Sequence, residues 1–204
     1  MPTTTQSPKT LAVIVKRHTT NIRQTKMIVK KTELPDKSIL KKDGKVYDYV
    51  DSFQSEFIDK GQNIDATEIG KSFFTSGPKW VGKLLTLRNK IAGLFGLKTS
   101  GDITDRQKQL DNFKCEPGEQ LGLFKVFSKT NNEVVLGKDD KHLNFRVSLF
   151  LDRQINNIDK KTLTISTTVK FNNWFGRLYF LPVKPFHKFI VPTMLKGIIK
   201  ELEK

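Results

Sequence analysis

The sequence has a single cysteine, Cys115, among its 204 residues. That excludes a disulfide framework and any multi-cysteine metal site. Histidine is almost as scarce: His18, His142 and His187 are too far apart for metal-ligand spacing, so neither a metal nor a cofactor is expected. The longest run free of Asp, Glu, Lys and Arg is Thr162–Val169, eight residues, against the ~20 needed for a transmembrane helix. Acidic residues are also few, 21 against 36 Lys and Arg, which leaves a formal charge of +15. What remains is 37% hydrophobic and 10% aromatic, with 15 Phe, enough for a packed core and too much for a wholly disordered chain. These features predict a cytoplasmic protein without a membrane span.

The positive charge is unevenly distributed. Residues 1–26 carry Lys9, Lys16, Arg17, Arg23 and Lys26 and no acid. The apolar run Leu11–Val15 is shorter than the ~7–15 residues of a secretory core, and Lys16-Arg17 stands where a small-residue cleavage site belongs. The stretch 1–28 is read as a basic, disordered leader. A presequence, a nucleic-acid-binding arm and upstream sequence before a start at Met27 are the other readings. One folded domain is expected over 29–204.

Within it the periodicity changes twice. Tyr47, Tyr49, Phe53 and Phe57 share one parity over Val46–Phe57, the mark of a half-buried strand. Asp51 has the same parity, an unexpected place for a carboxylate. Asp65-Ala-Thr-Glu68 then reads as a capping box, and Ser76-Gly-Pro78 as a second helix start leading to the apolar stripe Trp80–Phe95. From Leu121 the pattern is strand-like over 121–127, 133–136, 143–151 and 163–171, with turn residues between. Phe186, Phe189, Ile190, Met194, Leu195, Ile198 and Ile199 recur at helical spacing, and Pro192 is expected to kink or restart that helix. The order predicts an α+β helix-grip fold: a curved antiparallel sheet wrapped around a long C-terminal helix, with two helices after the first strand.

Several of these segments resemble one known family. They are Glu133–Val147, Thr167-Thr-Val169, Asn172–Tyr179, Pro185-Phe-His187, Asp48–Phe53 and Trp80–Asn89. Together they are similar to domain-of-unknown-function family 2867, of the SRPBCC (START-like, helix-grip) superfamily, over about Leu34–Leu195. The resemblance implies a helix-grip fold with a cavity between sheet and C-terminal helix. It implies no reaction.

Other motifs lose their chemistry on inspection. Gly77–Leu84 approximates a phosphate-binding loop, but Leu84 replaces the hydroxyl that would hold Mg²⁺, and Trp80 and Val81 belong to an apolar helix stripe. Cys115 beside Glu116-Pro-Gly118 reads as an inert thiol at a turn. The +15 charge comes without RNP aromatics, zinc-finger spacing or a helix-turn-helix, so no specific nucleic-acid partner is expected. Trp174–Phe180 and the basic helix after it are compatible with weak contact to an anionic membrane surface, against the plainer reading of core packing.

The leading expectation is a binding module for a small apolar or amphipathic ligand in an internal cavity. Its walls would be Phe145, Val147, Ile165, Thr167 and Val169 on the sheet and Trp80, Leu84, Phe189 and Leu195 on helices. Asp51, Arg88 and His142, with Tyr179 and His187, would supply the polar contacts, Arg88 being the expected partner of Asp51. The alternatives are a cyclase- or hydratase-type enzyme using Asp51 or His142 as acid/base, and surface binding to anionic lipid or nucleic acid.

Overall fold

The structure, a computed structural model, describes residues 27–61, 64–77, 106–154 and 159–203. The leader up to Lys26 lies outside the described residues, as does the apolar stripe carrying Trp80, Leu84 and Arg88. Among the described residues seven strands and four helices follow one another: β1 (Lys30–Thr32), α1 (Ile39–Lys42), β2 (Tyr49–Ile58), α2 (Ala66–Thr75), α3 (Arg106–Asn112), β3 (Gln120–Leu121), β4 (Phe124–Lys129), β5 (Glu133–Asp139), β6 (Leu143–Arg153), β7 (Lys160–Phe171) and α4 (Trp174–Leu202). The strands form one open, curved antiparallel sheet in the order β1-β2-β7-β6-β5-β4-β3. The chain therefore has the expected α+β helix-grip-like architecture.

Strict alternation along the long strands decides which face is buried against the helices. Phe53 and Phe57 of β2, Leu163 and Ile165 of β7, and Val147, Leu149 and Leu151 of β6 all point the same way. Onto them pack Val191, Met194, Leu195, Ile198 and Ile199 of α4 and Ile69 and Phe74 of α2. Asp65 caps α2 as its sequence predicts, accepting a hydrogen bond from Glu68 N at 2.9 Å. The opposite face is partly covered by the α1 segment, where Ser38 and Leu40 are buried against a row of Ser and Thr.

Two details fix how α4 sits. Asn173 caps it by accepting from Gly176 N at 3.1 Å, and donates back to Lys141 O at 2.9 Å. Gly176 lies so close to the β5–β6 hairpin that a Cβ there would meet His142 O at 2.1 Å. Glycine is thus what lets the helix start against the sheet. The helix then runs unbroken through Pro182, Pro185 and Pro192. Pro182 and Pro185 are exposed and Pro192 is half-buried, so much of the ring strain and of the lost hydrogen bonding is directed at solvent.

Cys115 is buried, in the left-handed region at φ 58°, with its Sγ so near α2 that a Cβ on Gly70 would lie 2.4 Å away. Burial pushes its thiol up to about 12 from 9.0. The native thiol stays protonated over a range in which the unfolded one ionises. Stability therefore falls by about 1.4 kcal/mol per pH unit between about pH 9 and 12 from this group. Denaturant midpoints against pH should fall less steeply in Cys115→Ala. Alkylation of the wild-type thiol should require unfolding; rapid modification of the native protein would contradict its burial.

Candidate functional site

The strand rule puts Tyr49, Asp51 and Phe53 on the helix-facing side of β2, and α4 brings His187 over them. Tyr49 donates its hydroxyl to Asp51 Oδ2 at 2.8 Å, and His187 Nδ1 meets the same oxygen at 2.9 Å. Asp51 is only 6% exposed. Burial first, then the bond to Asp51, holds the Tyr49 phenol well above its ordinary range, so it remains a donor. The Tyr49 ring stands edge-on to Phe180 at 4.8 Å and to His187 at 6.2 Å, with Lys184 Nζ 5.7 Å from its centre.

With both neighbours on Oδ2, Asp51 Oδ1 is buried without a hydrogen-bond partner among the described residues. The β2–β7 register places Thr167 directly opposite Asp51, and Thr167 Oγ1 is buried and unpartnered in the same way. Ser55 Oγ, four residues along β2 on the same face, is a third such atom. A carboxylate oxygen that can only accept therefore lies beside hydroxyls that can donate or accept, in an otherwise apolar surface. When Nδ1 of His187 carries the proton shared with Asp51, its other ring nitrogen is left to take or give one.

The other expected site residues distribute as follows. Val147, Ile165 and Val169 are buried on the same face as Asp51, with Phe145 half-buried beside them; Leu195 is fully buried on α4. Tyr179 packs, half-buried, against the cluster of Leu143, Val169 and Phe180. Phe189 is 70% exposed and does not face the sheet. His142 is not gathered to Asp51: it sits at the β5–β6 hairpin, stacked on Phe175 at 4.6 Å and 3.3 Å from Asn173 Oδ1, where it supports the start of α4. Trp80, Leu84 and Arg88 lie outside the described residues, so the expected Asp51–Arg88 pair does too. The sequence reading missed the Tyr49–Asp51 bond, although the i, i+2 spacing on one strand face was available to suggest it.

Two further features complete the polar inventory. On the opposite sheet face a groove of about 470 Å³ is bounded by Lys31, Leu34, Leu40, Lys45, Tyr47 and Val50. Tyr47 precedes β2 and bonds to Asp43 Oδ2 at 2.7 Å on this side, so it does not share the face of Tyr49 as the parity predicts. Among the described residues no cluster of three or more His, Cys, Asp or Glu could hold a metal ion, and no helix is long and apolar enough to cross a membrane.

A family model described as "Protein of unknown function (DUF2867)" matches residues 45–194, more than half of the chain. No curated protein matches it.

Proposed function

Because the chain belongs to the DUF2867 family, a family of unknown function, we propose its role from the site itself: it binds a small apolar or amphipathic molecule between the helix-facing sheet surface and α4. The polar end of the ligand rests on Asp51 Oδ1 and Thr167 Oγ1, and the apolar remainder lies along Val147, Ile165 and Val169. The observation that supports this is the pair of buried, unpartnered polar atoms placed opposite each other across β2 and β7. Each such atom costs about 1–3 kcal/mol when left unsatisfied, and folded proteins keep few of them. A ligand group that both donates and accepts would recover that cost, and the fold is compatible with a helix-grip cavity.

Native mass spectrometry of the purified full chain tests the proposal. The expected spectrum shows the protein with a small molecule bound. Thr167→Val is expected to stabilise the ligand-free protein by about 1 kcal/mol while lowering ligand occupancy roughly tenfold. Bare protein from cells, together with no thermal shift from a panel of fatty acids, sterols and isoprenoids, would falsify it.

A second reading has its own support in the His187–Asp51 contact. A histidine oriented by a buried carboxylate is the usual arrangement of a general base. In that case His187, and not His142, carries the proton. His187→Gln would then leave the bound molecule in place but stop its chemical conversion, read by mass change of the ligand on incubation.

A further inference from the structure

The outward side of α4 carries a feature that neither core packing nor the ligand reading uses. Trp174, Leu178, Leu181, Phe186 and Phe189 are each 53–72% exposed. With 100° per residue, positions 174, 178, 181, 185 and 189 fall on one stripe, so Pro185 continues it and Phe186 widens it. The stripe is about 22 Å long. The bases Arg177, Lys184 and Lys188 project from the same stretch, and no acid occurs from Trp174 to Lys200. Lys184 and Lys188 have no ion pair among the described residues, while Arg177 reaches Asp48 Oδ1 at 3.8 Å and is itself 70% exposed.

We propose that this face of α4 docks the protein on the surface of an anionic lipid bilayer. Trp and Phe suit the headgroup boundary because they bury a large ring yet tolerate a polar neighbourhood. Lysines flanking an apolar stripe add attraction to anionic headgroups. The prolines set the depth. Pro182, Pro185 and Pro192 deprive the Leu178, Leu181 and Lys188 carbonyls of their helical donors, so those groups need water or headgroups and the helix rests at the interface. A second copy of the chain fits this face poorly, because self-association would bring Arg177, Lys184 and Lys188 toward their own counterparts.

The experiment is co-sedimentation of the full chain with vesicles of phosphatidylcholine alone and of phosphatidylcholine with phosphatidylserine, at low and high salt. Binding is expected to the phosphatidylserine vesicles, falling as salt rises. Lys184→Gln with Lys188→Gln should weaken it roughly 20-fold, from about 5-fold per basic residue near an anionic surface. Leu181→Ser with Phe189→Ser should weaken it by at least about 10-fold. All four side chains are exposed, so the melting temperature should stay unchanged. Absence of vesicle binding overturns the proposal, as does binding that both double variants retain. So does a stable dimer dissolved by Leu181→Ser in a protein that ignores vesicles, which would assign the face to a second copy.

Discussion

Lys161→Ala is expected to destabilise the protein by about 3–5 kcal/mol, enough to leave little folded chain at room temperature. Lys161 stands in β7 on the same parity as Leu163 and Ile165, and its side chain is 1% exposed. Its ammonium pairs with the buried carboxylate of Asp59 and donates to Ile64 O at 3.2 Å. Asp59 Oδ2 also accepts from Ile64 N at 3.2 Å. The pair therefore anchors the segment leading from β2 to the cap of α2. Removing the cation strands a carboxylate in an apolar interior, where the desolvation penalty is uncompensated. Urea unfolding at neutral pH measures the loss. Lys161→Met combined with Asp59→Leu should regain most of it, since a buried ion pair can often be replaced by apolar side chains of similar volume. A cost below about 1 kcal/mol for Lys161→Ala would mean that the pair is solvated.

Glu133→Ala comes next, at about 3–4 kcal/mol. Glu133 opens β5 on the opposite face of the sheet and is 1% exposed. It accepts from Ser38 Oγ at 2.6 Å, Ser148 Oγ at 2.5 Å and Ile39 N at 2.8 Å. Three buried donors lose their acceptor at once, at about 1–3 kcal/mol each before relaxation. Because Ser38 is also the N-cap of α1, accepting from Leu40 N at 3.2 Å, the N-terminal segment should loosen first. Hydrogen exchange would register this as protection lost around Ser38–Lys42 beyond the global change. Glu133→Gln keeps one acceptor oxygen and should cost less. Equal losses in the two variants would argue against this hydrogen-bonding account.

Both groups show where local pattern stops being informative. The strands around Asp51, Val147 and Ile165 are legible because alternation is a property of neighbouring residues. Gly137-Lys-Asp139 reads as a turn from its composition, yet β5 continues through it. Backbone pairing of Gly137 with Arg146 and Asp139 with Asn144 outweighs the weak propensities, and Asp139 joins Arg146 at 2.7 Å. Helix α4 starts at Trp174, well before the Phe186 at which its periodicity is first read, because exposed prolines interrupt the pattern without ending the helix. Asp51 is visible as an anomaly of parity, whereas its contact with His187 spans 136 residues and leaves no local trace. Lys161 has the same kind of anomalous parity, so its burial was open to the same inference.

The place of β2 in the sheet has a consequence for the order of assembly. Its ten residues pair with β7, Tyr49 with Val169 and Ile58 with Lys160, across more than a hundred residues of intervening chain. During synthesis at ~5–20 residues per second, the apolar side of β2 waits on the order of 5–20 seconds for its central neighbour. Local hairpins β4–β5 and β5–β6 need no such delay, so contact order makes closure of β2 on β7 the slow event. Tyr49, Asp51, Thr167 and His187 come together only after that closure and the docking of α4. The candidate site is the last part of the molecule to come into being, and a nascent chain has no means of engaging a ligand there before its own C-terminus has been released.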